Sequence, residues 1–125
     1  RGMPRARIAL PEIDGRSESV GESISRLIFV EAGLPRPELQ REFVIDGRLY
    51  RSDFYWEDEE VIGEFDGLGK YLDETSESGR RASLRAEKQR DQDFQSVGIT
   101  PVHWTMGDLA TPSALVSRVR RAFRH

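Results

Sequence analysis

Residues 40–67 read QREFVIDGRLYRSDFYWEDEEVIGEFDG. The runs 40–45 and 48–56 are rich in aromatic and β-branched residues, and between them stands Asp46-Gly47. That dipeptide accepts positive φ at both central positions of a type I′ turn, so the two runs are expected to form a hairpin. A third strand is expected over Glu60–Asp66, closed by Gly67 and Gly69, with Tyr71–Gly79 as a polar loop beyond it. Upstream, Ile24, Leu27, Ile28 and Leu34 recur at helical spacing. A helix over residues 19–33 follows, with Ser19 as N-cap and Gly33 and Pro35 as the stop. Downstream, a helix over Ala82–Val97 has few apolar residues (Leu84, Phe94 and Val97) and ends at Gly98, so its packing face must include polar groups. Ile99–Trp104 reads as a strand reached through that helix, which makes it parallel to the third strand by a right-handed crossover. Thr111-Pro112 then opens a terminal helix carrying Leu115, Val119 and Phe123. The expected fold is α/β, ordered αβββαβα, with a central mixed four-stranded sheet flanked by helices.

The chain has 125 residues, 37% of them hydrophobic, enough for one modest core. Residues 17–125 are read as one domain and residues 1–16 as an N-terminal remnant or linker, because Arg1-Gly2-Met3 does not resemble a natural start. The longest apolar run, Leu27–Val30, is too short to span a bilayer, so the expectation is a soluble, cytoplasmic protein without a membrane partner. The absence of cysteine removes disulfides, thiolate metal sites and cysteine nucleophiles together. With only His103 and His125, a bound metal would rest mainly on carboxylates, which favours magnesium or manganese. The net charge of −3 hides a segregation, since residues 1–79 carry 10 basic and 18 acidic groups and residues 80–125 carry 9 and 4. The basic half reads either as a solvated outer face or as a phosphate-binding rim.

Asp53 on the second strand and Glu64 and Asp66 on the third sit among Val, Ile, Phe and Trp. Alternation puts Glu64 and Asp66 on one face, and carboxylates so placed repel one another unless a cation is present. Two plainer readings compete: Asp66 as a turn residue before Gly67, and Asp53 as an ion-pair partner of Arg51 or Arg26. Lys70 and Lys88 are the only lysines among 19 basic residues, and an ammonium can lose a proton where guanidinium cannot. Lys88 shares a helix face with Leu84 and Asp91. Ser19-x-x-Glu22 fits a capping box, which gives Glu22 a structural explanation beside a functional one. His103 reads as a hydrogen-bonded structural histidine sooner than a ligand, and Trp56 and Trp104 read as core.

These segments carry a resemblance. Gly33-Leu34-Pro35-Arg36-Pro37-Glu38-Leu39-Gln40, Ser52-Asp53-Phe54, Gly63-Glu64-Phe65-Asp66-Gly67, Glu87-Lys88, Arg90-Asp91 and Val102-His103-Trp104 stand in order. Together they resemble the Vsr-like (very-short-patch-repair endonuclease-like) branch of the restriction-endonuclease superfamily over residues 17–124. Such domains lie at the C-terminus of many actinobacterial proteins, often behind a winged-helix, antitoxin-like domain. The resemblance implies a restriction-endonuclease-like fold and metal-dependent hydrolysis of DNA by an endonuclease or nickase. It implies catalytic roles for Glu22, Asp53, Glu64, Lys70 and Asp91, with Lys88 as the other candidate lysine. Asp53, Glu64 and Asp66 would hold magnesium or manganese, and Arg80, Arg81, Arg85 and Arg90 would meet DNA phosphates. The sequence departs from the strict Asp…Glu-x-Lys pattern at Asp66, where lysine would stand, and at Lys70, where repair-type relatives have histidine. The alternative is a module of the same fold that lacks catalysis and serves interaction or regulation in an antitoxin-like protein.

Overall fold

The computed structural model describes residues 15–67 and 76–124. The elements are α1 (Gly15–Glu31), β1 (Glu38–Ile45), β2 (Arg48–Trp56), β3 (Val61–Asp66), α2 (Glu77–Ser96), β4 (Thr100–Thr105), a 3₁₀ turn (Met106–Ala110) and α3 (Pro112–Phe123). The fold is α/β. Its sheet runs in the order β1-β2-β3-β4, antiparallel except for the parallel pair β3–β4 reached through α2.

The hairpin forms as its turn dipeptide dictates: Asp46 and Gly47 have φ of 53° and 78°, and Ile45 pairs with Arg48. One face of the sheet holds the larger core, where Ile24, Ile28 and Phe29 of α1 meet Phe54, Trp56, Phe65, Trp104, Leu115 and Val119. Both tryptophans are core residues: the Trp56 indole N–H donates to the Pro35 carbonyl at 2.8 Å, and that of Trp104 to the Ser25 hydroxyl at 2.8 Å. The opposite face holds a smaller core in which Phe94 of α2 packs on Ile45, Tyr55, Ile62 and Ile99.

Two glycines set the layer spacing. A Cβ on Gly21 would stand 2.1 Å from the Phe65 ring, so its absence lets α1 lie close against β3. A Cβ on Gly63 would stand 2.6 Å from the Trp104 ring. Gly63→Ala should therefore cost about 1–3 kcal/mol through overpacking. The check is a thermal melt with tryptophan emission, and an unchanged midpoint would mean that the Trp104 ring can shift freely.

Four expectations are corrected. Helix α1 begins a turn earlier, so Ser19 lies inside it and the Ser19–Glu22 capping box is not the helix start; Arg16, Ser17 and Glu18 extend the helix without adding apolar periodicity. Leu27 is 44% exposed, and Phe29 takes its place in the core. Helix α2 begins at Glu77, with Ser76 accepting the Gly79 N–H at 3.0 Å, so residues 77–79 of the expected loop are helical. Residues 71–75 of that loop lie outside the described residues. Leu84 and Val97 are exposed, which leaves Phe94 and Asp93 as the buried residues of α2. The polar anchoring expected of this helix is present: Asp93 accepts from Tyr50 at 2.6 Å and from Gln89 at 2.9 Å.

Candidate metal centre at a fork in the sheet

Strands β2 and β3 pair only over Phe54–Gly63, Tyr55–Ile62 and Trp56–Val61 and then part, while β1–β2 pairing continues to Arg48 and β3–β4 pairing to Asp66. Parting strands leave backbone groups that need partners. The Phe65 N–H donates to Asp53 Oδ2 at 2.8 Å, and the Arg51 carbonyl accepts from Arg90 Nη2 at 2.6 Å. The same Arg90 nitrogen donates to Glu64 Oε1 at 2.9 Å. Its guanidinium lies over the rings of Tyr50 and Phe94, at 5.2 and 5.6 Å from their centroids. Two carboxylates and one arginine thus close the fork.

Asp53 also shares hydrogen bonds with Glu22 and Gln40. Burial raises the Asp53 pKa, with the Phe65 N–H and Glu22 acting against it. Gln40 stands between the register pairs Leu39–Phe54 and Arg41–Ser52, with φ at +55°. That left-handed conformation is uncommon for glutamine and interrupts the ladder opposite Asp53. An open cleft of about 240 Å³ between α1 and β1 exposes Glu22, Arg26, Gln40 and Asp53 along its wall.

Glu64 is 8% exposed, and its Oε2 has no hydrogen-bond partner. Burial, opposed by Arg90 and reinforced by the Asp53 charge, pushes its pKa up to about 7. The register sets His103 beside Glu64 across the parallel pair. His103 Nε2 lies 2.9 and 3.1 Å from the two oxygens of Asp91. Its Nδ1 lies 3.4 Å from Asp66 Oδ2 and 3.5 Å from Glu87 Oε2. Burial pushes the His103 pKa down, but Asp66 and Asp91 overcome this and carry it up to about 9. Asp66, Glu87 and His103 form a group that could hold a metal ion, with ligand atoms within 4.8 Å of one another.

The fold therefore gathers Glu22, Asp53, Glu64, Asp66 and Asp91 around the fork and its β4 side. Asp66 ends β3 as a buried residue beside His103 and is not a turn residue; the charge that faces Asp53 is that of Arg90, in place of the Arg26 or Arg51 partner considered above. Arg90 is engaged inside the site. Arg80, Arg81, Arg85 and Lys88 are exposed on α2, and Lys70 lies outside the described residues. Gln40 and Glu87 join the site without having been singled out. For Glu87 the signal was its i,i+4 spacing to Asp91; for Gln40 strand alternation offered none.

No family model matches the chain, and no solved structure matches it. It is 35% identical over 123 residues to two proteins of Mycobacterium tuberculosis, one from each of two strains, both described as uncharacterized. The match covers 97% of this chain and 43% of each relative, so the chain spans less than half the length of the curated relatives it matches.

Proposed function

We propose that this is a divalent-metal-dependent DNA endonuclease or nickase domain of restriction-endonuclease-like, Vsr-like type. The observation that carries the reading is the convergence of half-buried Asp53 and buried Glu64 where the sheet forks, with Glu64 Oε2 left unpartnered. An orphaned carboxylate oxygen beside a second carboxylate fits a magnesium or manganese ion, which Asp53 and Glu64 would hold. When bound, such an ion polarises a scissile phosphate and lowers the pKa of an attacking water. Glu22, Gln40 and the Phe65 N–H fix the Asp53 carboxylate, and Arg90 fixes that of Glu64. The deciding assay is relaxation of supercoiled plasmid with magnesium, with manganese and with chelator. Nicking that requires metal supports the reading.

A second reading, an interaction or regulatory module of the same fold without catalysis, is favoured by Arg90, whose guanidinium already neutralises Glu64. Absence of nicking with either ion by the folded protein would select it.

DNA is the proposed partner, met by Arg80, Arg81 and Arg85 on the exposed N-terminal half of α2. Replacing all three with glutamine should flatten the slope of log affinity against log salt by roughly 2–3 units, about 0.9 for each lost phosphate contact. Cleavage at saturating DNA should change far less. A slope equal to that of the parent would make this run a solvated face.

A further inference from the structure

We infer that Asp66, Glu87 and His103 form a second cation site, separate from the Asp53–Glu64 fork and selective for a nitrogen-preferring first-row ion, typified by zinc, over magnesium. Asp91 meets His103 Nε2 with both oxygens, at 2.9 and 3.1 Å, which holds a proton on that nitrogen, so an ion would bind at Nδ1 and displace the second proton that the metal-free ring favours there. A carboxylate on the far nitrogen is the usual companion of a metal-binding imidazole, since it sets the ring's tautomer and raises its basicity.

Nδ1 is buried and has no hydrogen-bond partner. The oxygens nearest to it, from Asp66 and Glu87, stand at 3.4 and 3.5 Å, too far for a good hydrogen bond and close enough to share an ion. Directly across the parallel register from His103, Glu64, 8% exposed, holds a second unpartnered buried atom in Oε2. One imidazole nitrogen and two carboxylate oxygens suit zinc with water completing the shell, whereas magnesium prefers oxygen alone and keeps most of its waters.

The three donors come from β3, α2 and β4. An ion among them would clamp the crossover helix, which buries only Asp93 and Phe94, onto the parallel strand pair. Asp91 is then a positioning residue and the other three are ligands.

The test is calorimetric titration of the chelator-treated protein with zinc and with magnesium, beside Asp53→Asn, Glu87→Gln, His103→Gln and Asp91→Asn. One saturable zinc site is expected, with magnesium at least tenfold weaker. Glu87→Gln and His103→Gln should weaken zinc at least tenfold, Asp91→Asn about 10–100-fold, and Asp53→Asn less than about threefold. Zinc should raise the thermal midpoint of the parent and of Asp53→Asn, but not that of Glu87→Gln. Glu87→Gln lies on a half-buried helix position, so its metal-free melt distinguishes lost binding from lost folding should His103→Gln fail to fold. Cobalt in place of zinc should give a visible d–d spectrum that changes in His103→Gln. No saturable zinc binding, or unchanged binding by Glu87→Gln, overturns the site. Loss in Asp53→Asn with Glu87→Gln unaffected would put the ion in the fork, overturning this inference while supporting the proposed function. Equal loss in both variants would merge the two sites and overturn their separation.

Discussion

Asp53→Asn and Glu64→Gln should each lower metal-dependent plasmid nicking by at least about a hundredfold, the scale at which removal of a preorganised electrostatic group is felt. Neither should unfold the metal-free protein. Glu64 is the sharper case, because its carboxyl is pushed from 4.5 up to about 7, chiefly by burial. A carboxyl whose pKa is raised on folding favours the folded state fully below its unfolded value and loses that contribution as pH climbs through the folded one. The parent should therefore weaken between about pH 4.5 and 7, by roughly 3–3.5 kcal/mol if the whole shift is expressed. Glu64→Gln should flatten that window and melt no lower than the parent at pH 8 without metal. Full nicking by both variants would remove Asp53 and Glu64 from the site. A large fall in metal-free stability would instead make Glu64 the structural partner of Arg90.

His103 should govern the next window. Asp66 and Asp91 overcome burial and carry its pKa from 6.5 up to about 9, so folding favours the protonated ring. The contribution is complete below pH 6.5 and disappears as pH rises through 9. With the side chain 23% exposed, about 2–3 kcal/mol is an upper bound. Denaturant unfolding of chelator-treated protein from pH 6 to 9.5 should show the loss, and His103→Gln should abolish the slope. A level profile in the parent would mean that the ring does not hold its proton between Asp66 and Asp91.

The hairpin was legible because Asp46-Gly47 is a local instruction, and the terminal helix was legible because Thr111-Pro112 is another. The start of α1 was not, because Arg16, Ser17 and Glu18 neither break a helix nor add apolar periodicity. Asp53 and Glu64 could be singled out as carboxylates embedded in apolar strands. His103 was read as structural because its local pattern shows only a strand. Its importance comes from the register that sets it beside Glu64 and from the helix that brings Glu87 and Asp91 over it, both non-local. Arg90 was read with Arg80, Arg81 and Arg85 as a contact to DNA phosphates, and only the parting of β2 from β3 gives its guanidinium a carbonyl and a carboxylate to bind instead.

The parallel pairing of β3 with β4 also orders events as the chain folds. The β1–β2 hairpin closes through a two-residue turn and can form early, whereas Val61 meets Thr100 only after all of α2 has been traversed. Closing that larger loop costs more chain entropy and comes later. The carboxylates of β3 therefore spend the early part of folding without Arg90, Glu87 or His103 opposite them. Until β4 docks, the β3 edge is a bare template whose charges, Glu64 and Asp66, discourage another chain from pairing there first. The acidic residues that crowd the finished site thus also guard the slowest seam of the sheet while it is open.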